Sequence, residues 1–146
     1  MLKRYTFWLW VAVAFQLLTV LAHSSSFLVT PVPNNETERQ LLDLMTNYQM
    51  DMGAGLHRSM RNLFNALSAC FSLLYALGAL TNFYLLRKRV DADLVRGFLL
   101  IQLLVFGITF GVMALLTFLP PITLTGLVFL FLALAFIILP NPKSAI

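Results

Sequence analysis

The side chains best suited to chemistry in this 146-residue chain gather around one stretch, Asp51–Ser72. It holds His57, Arg58, Arg61, Asn65, Ser68, Ser72 and the only cysteine, Cys70. His23 and Asp43 precede it in the chain and Asp51 opens it, and all three can serve the same outer end. Imidazoles could ligate haem or a metal, or serve a quinone or proton step. Guanidinium groups could grip an anionic headgroup or a carboxylate through forked donors. A metal would need Asp43 or Asp51 beside the two histidines, because two protein ligands do not make a metal motif. Cys70 lies about 13 Å along a helix from Arg61, so its thiol is expected to pack in a desolvated setting rather than react.

Familiar catalytic signatures do not accompany these groups. The chain contains no GxxxxGK[ST], GxSxG or HExxH, and a lone cysteine excludes an internal disulfide and any CxxC pair. A nucleophile–base pair is not identifiable, so an enzyme is not the expected class. No cofactor is called for either.

The elements that must position these groups are apolar. Composition is 60% hydrophobic and 11% charged, with thirteen phenylalanines and a mean hydropathy of +0.84. A soluble domain is nearer 45–50% apolar and about 25% charged, which points to an integral membrane protein. The net charge of +4 does not imply a nucleic-acid partner, since the basic residues sit at the ends of apolar runs instead of along one face.

Four runs are long enough to span a bilayer, at about 6–23, 60–86, 94–118 and 121–139. Lys3, Arg4, Trp8 and Trp10 flank the first, which predicts a retained helix with its N-terminus inside. The rival reading is a signal peptide cut after Val20-Leu21-Ala22, although Gln16 and the tryptophans are unusual in such a core. Arg87-Lys88-Arg89 closes the second run. With four spans, seven of the ten lysines and arginines fall on the N-terminal side, so both termini are expected in the cytoplasm.

Pro31 and Pro33 break the chain after the first run. Asn35 and Glu38 then form a capping-box pattern that opens an amphipathic helix over 35–52. Its apolar stripe is Leu41, Leu44, Met45, Tyr48 and Met52, and its place is at the outer interface or over the mouth of the helices. Asn35-Glu36-Thr37 also matches a glycosylation sequon, a triplet that arises often by chance. Gly53 and Gly55 are expected to act as a hinge into the second span.

Inside the spans, Arg61, Asn65, Ser68 and Ser72 recur at helical spacing and predict a polar packing seam, the alternative being a polar-lined cavity that opens outward to a headgroup or small ligand. Gly107 and Gly111 have the small-xxx-small spacing that lets helices approach. Gln16 and Gln102 are mid-span amides expected to bond to each other or to backbone. Asp91 or Asp93 can cap the third span, with an Asp93–Arg96 pair behind it. Arg58 and Arg61 are expected to pair with Asp43 and Asp51 as a salt-bridged lid. Carboxylates are absent from every span, which disfavours an ion-coupled transporter.

This plan resembles that of small bacterial four-helix inner-membrane proteins, in which a His ends the first span and a polar outer helical loop precedes an Arg-marked second span. The likeness is carried by Leu21-Ala22-His23, Glu36–Asp51 and Arg58–Phe64, roughly the first half of the chain. DoxX-like proteins share the outline. The resemblance implies an all-α four-helix bundle in a bacterial inner membrane and implies no activity.

The class expected is therefore a non-enzymatic module that meets membrane lipids, another membrane protein or a second copy of itself. The competing expectation is an outer ligand-binding or redox (haem or quinone) module built on His23, His57, Arg58 and Arg61, with Asp43, Asp51 and Asn65 nearby.

Overall fold

Apolar side chains at heptad-like spacing on four long segments dictate helices that pack along narrow seams, and a computed structural model describing residues 4–29 and 31–140 has that character. The fold is all-α apart from one short hairpin. Its elements are α1 (Tyr5–Ser25), a 3₁₀ turn (Ser26–Leu28), α2 (Glu36–Asn47), β1 (Met50–Asp51), β2 (His57–Arg58), α3 (Met60–Lys88), α4 (Ala92–Leu116) and α5 (Leu119–Ile138). α1 with its 3₁₀ turn, α3, α4 and α5 are each long and apolar enough to cross a membrane. Lys3 and Lys143 lie outside the described residues.

Contacts divide the chain into two compact units, one of residues up to Val20 with those from Leu74 onward, the other Leu21–Leu73. In the first, each helix buries one stripe. Leu9, Ala12, Val13, Gln16 and Thr19 come from α1, and Tyr75, Ala79, Asn82 and Leu85 from α3. Val95, Leu99, Gln102 and Phe106 of α4 meet Thr125, Val128, Leu132 and Ala135 of α5 in the same interior. Aromatic contacts tie α1 to α5, where Phe131 lies 5.9 Å from Trp8 and 5.0 Å from Phe15.

Small residues set the closest approaches. A Cβ added at Gly78 would stand 2.6 Å from Gln16 Nε2 and 2.8 Å from Phe106 Cζ, so only glycine lets α3 sit there. Gly107 lies under Phe129, and Gly126 under Phe110, whose rings stack at 6.3 Å. Gly111, by contrast, has open space around it, so the packing spacing read from the sequence is used at Gly107 and not at Gly111 within this chain.

Helix ends are closed by identifiable groups. Arg96 does not pair with Asp93; its Nη2 donates to the carbonyls of Leu139 (2.8 Å) and Pro140 (3.3 Å). It thereby covers acceptors that α5's C-terminus leaves without an intrahelical donor, with its guanidinium over the Phe136 ring. Asp91 occupies α4's N-cap position through its backbone alone, its side chain making no capping bond.

In the second unit, half of the capping box at α2 forms: Asn35 Oδ1 accepts from the Glu38 N–H at 2.9 Å, while the Glu38 carboxylate returns to the Asn34 N–H and to the Asn34 and Asn35 side-chain amides instead of the Asn35 N–H. The helix stops at Asn47, five residues before the predicted end, because Met50 and Asp51 pair antiparallel with Arg58 and His57. Gly53, Ala54 and Gly55 all take positive φ (84°, 50° and 76°), which makes the glycines turn residues of a hairpin rather than a hinge. Asp51 Oδ1 accepts from the Gly53 N–H at 2.8 Å and fixes that turn.

Candidate functional site

The residues singled out by type fall into two settings. Within the second unit, His23 occupies the last turn of α1 and packs its ring 4.7 Å from Phe71. Its Nε2 is buried and has no hydrogen-bond partner among the described residues. Beside it the Ser24 hydroxyl donates to Ser72 Oγ at 3.2 Å, joining the end of α1 to the first half of α3. Ser72 is buried, Ser68 half-buried and Asn65 exposed, so the polar stripe deepens along α3. Cys70 lies on the exposed face of the same helix, contrary to its expected burial. It stands two residues from Ser72, so the helical turn directs it away from the seam.

His57 is exposed on β2, opposite Asp51 in the hairpin register. Arg58 does not reach Asp43 or Asp51; its Nη1 donates to the His57 carbonyl at 2.7 Å. Asp43 Oδ1 instead accepts from Asn47 Nδ2 at 2.7 Å. The salt-bridged lid is thus replaced by short-range bonds, since Asp43 and Asp51 each have a nearer neutral donor. Among the described residues the one ion pair is Arg39–Glu36, one turn apart on α2 and exposed. That guanidinium holds the Glu36 carboxyl below its ordinary value, and the carboxylate raises Arg39 in return. Arg61 and Asp43 do share the lining of an open cavity of about 330 Å³, along with Arg39, Asn47 and Pro33. No group of three or more His, Cys, Asp or Glu that could hold a metal ion occurs among the described residues.

The second setting is the interior of the first unit. Gln16, Asn82 and Gln102, from α1, α3 and α4, are at most 7% exposed and bond to one another. Asn82 Nδ2 donates to Gln102 Oε1 (2.8 Å) and to Gln16 Oε1 (3.1 Å). Gln102 Nε2 returns a bond to Asn82 Oδ1 at 2.8 Å, and Gln16 Nε2 donates to Gln102 Oε1 at 3.3 Å. Every oxygen in the trio accepts and every amide nitrogen donates, so three helices are joined by a closed amide network. In an apolar interior such a network is strong because its alternative is unpaired polar groups. Asn82 has no place among the sequence candidates, yet it continues the α3 stripe from Ser72 through Tyr75 and Ala79 at spacings of three, four and three.

The buried threonines are satisfied locally. Thr19 donates to the Phe15 carbonyl and Thr125 to the Pro121 carbonyl, each one turn back. The interior chemistry is therefore hydrogen bonding between neutral groups. Comparison with known proteins adds no relative: no protein-family model, curated protein or solved structure matches the chain.

Proposed function

We propose that this chain is an integral membrane protein of four spans, a small non-enzymatic module that works through contacts with lipids or a partner membrane protein. The observation that carries the reading is an inverted burial pattern. Leu17, Leu67, Leu77, Leu104, Leu115 and Ile137 are exposed on the long helices, whereas Gln16, Asn82 and Gln102 are inside. Only 17–28% of each span's most apolar window is buried within the chain. In water such surfaces would associate; in a bilayer they face acyl chains.

The closed amide network supports a structural part for the interior, as every amide there is already paired with another. α2 buries no residue and leaves Leu41, Leu44 and Tyr48 exposed, which suits a helix lying in the headgroup layer on the outer side. The charge bias and the likeness to bacterial four-helix proteins favour an inner membrane with both termini cytoplasmic.

Cysteine labelling of whole cells in a Cys70→Ser background tests the topology. Thr37→Cys should react with an impermeant reagent from outside, and Lys88→Cys only after the inner face is opened. The reverse pattern overturns the orientation, and labelling of positions along all four helices by aqueous reagents overturns insertion. The open space at Gly111 offers a test of partner contact. A Cβ at Gly111 meets nothing within 4 Å among the described residues, so a changed oligomer distribution of Gly111→Leu with unchanged folding reports on an external helix. An outer redox module on His23, His57, Arg58 and Arg61 would instead show a Soret band or a quinone signal in the purified protein.

A further inference from the structure

In the first unit, Arg4 and the first turns of α1, with the α3–α4 connection, line a half-open cavity of about 500 Å³. This volume is within the usual range for small-molecule sites, roughly 300–1,000 Å³. Its floor is apolar: Leu9, Leu85 and Val95 are buried, and Trp10 forms part of the wall. Its lining also includes Arg4, Arg89, Tyr5 and Thr6.

Neither guanidinium has a hydrogen-bond or ion-pair partner among the described residues, although Arg96 and Arg39 elsewhere both do. Arg89 also stands at φ 50°, a left-handed conformation at the end of α3 that glycine or asparagine would adopt at lower cost. An arginine held in that conformation turns a helix stop into a basic rim residue. Asp91 and Asp93 are nearby in sequence but do not line the cavity, so both charges that do line it are positive.

We propose that this cavity binds the headgroup of an anionic phospholipid. Arg4 and Arg89 would hold the phosphate, and Trp10, Leu85 and Val95 would lie under the glycerol and the first acyl carbons. Two guanidinium groups supply forked donors to phosphate oxygens, which a zwitterionic headgroup offers less favourably because it brings its own cation. The apolar floor asks for a ligand with an apolar continuation, which inorganic phosphate lacks. The proposal rests on the membrane reading above and names the lipid class that reading leaves open.

Trp10 provides the readout. In a Trp8→Phe background it is the sole tryptophan, and full-length protein is reconstituted in phosphatidylcholine vesicles containing brominated lipid. Brominated phosphatidylglycerol should quench Trp10 at far lower mole fraction than brominated phosphatidylcholine. Surface attraction alone, about 1 kcal/mol per basic group, gives about a fivefold preference for any nearby arginine or lysine, so the cavity should show a larger loss per arginine than that. Arg4→Gln with Arg89→Asn, the latter tolerant of positive φ, should bring the two lipids close to parity while phosphatidylcholine quenching persists. Arg87→Gln with Lys88→Gln removes equal charge outside the cavity and should keep most of the preference.

Equal quenching by both lipids in the parent protein overturns the site and leaves insertion standing. Absence of quenching by either overturns insertion and the site together. Loss of preference in the Arg87/Lys88 variant as large as in the Arg4/Arg89 variant reduces the effect to surface potential and also overturns the site. Displacement by millimolar inorganic phosphate or glycerol phosphate would identify a free-anion site and overturn the lipid assignment.

Discussion

Replacing Asn82 with leucine should do more damage than replacing all three members of the buried amide network. Asn82 takes part in three of the four bonds that join α1, α3 and α4. Interhelical hydrogen bonds in membrane proteins average about 0.6 kcal/mol, so three are worth about 2 kcal/mol. Asn82→Leu also strands Gln102 Nε2 and Gln16 Oε1 in an apolar interior, each a desolvated group worth about 1–3 kcal/mol when unpaired. Together these give an expected loss of about 4–8 kcal/mol. The triple change Gln16→Leu, Asn82→Leu and Gln102→Leu leaves no polar atom to strand, so its loss should fall below that of the single change. Reversible unfolding of the detergent-solubilised protein, with helicity followed by circular dichroism, gives both values. A single variant within 0.5 kcal/mol of the parent, or a triple variant whose loss equals the sum of three single losses, would refute the closed-network account.

Other expectations are narrower. Gly78→Ala should lower stability by about 1–3 kcal/mol, because its methyl meets Gln16 and Phe106, while Gly111→Ala stays within about 0.5 kcal/mol; equal melting temperatures for the two would contradict the packing described. Arg96→Leu removes charged hydrogen bonds to the Leu139 and Pro140 carbonyls and should cost about 1.5–3 kcal/mol, with Arg96→Lys restoring part of it; hydrogen exchange at α5's last turn reads the local effect. The Arg39 guanidinium depresses the Glu36 carboxyl below its ordinary 4.5, so the pair's stabilisation of α2 is present above that value and fades as pH falls through the lower, folded-state titration. Carboxyl-carbon NMR should place the Glu36 midpoint below that of an Arg39→Gln variant, and coincident midpoints would remove the pair.

The four long helices were legible because length and apolarity are local properties, readable without knowing any neighbour. Asn35 and Glu38 were legible for the same reason: a capping box needs only three residues' spacing. Features made by distant partners were harder. The Asp93–Arg96 pair looked natural on one helix, but α5's carbonyls, 43 residues from Arg96, offered a better acceptor set. The hairpin was hidden by an apolar stripe that runs on past Asn47, although Asp51 followed by Gly-Ala-Gly carries turn chemistry that could have outweighed it. Gln16 and Gln102 stood out as amides in apolar runs, and they do bond to one another. Asn82 did not stand out, being five residues from the basic cluster, where a polar side chain looks interfacial. Only its register on the Ser72 stripe distinguishes it.

The amide network also imposes an order on biogenesis. Gln16 is made first, Asn82 follows 66 residues later and Gln102 20 residues after that. At synthesis rates of about 5–20 residues per second, α1 waits roughly 4–17 seconds before its last partner has been added to the chain. During that interval a helix carrying one unmatched amide has reason to stay loosely held beside another polar group. α1, although made before α3 and α4, is thus not locked in place until α4's arrival completes the fastening.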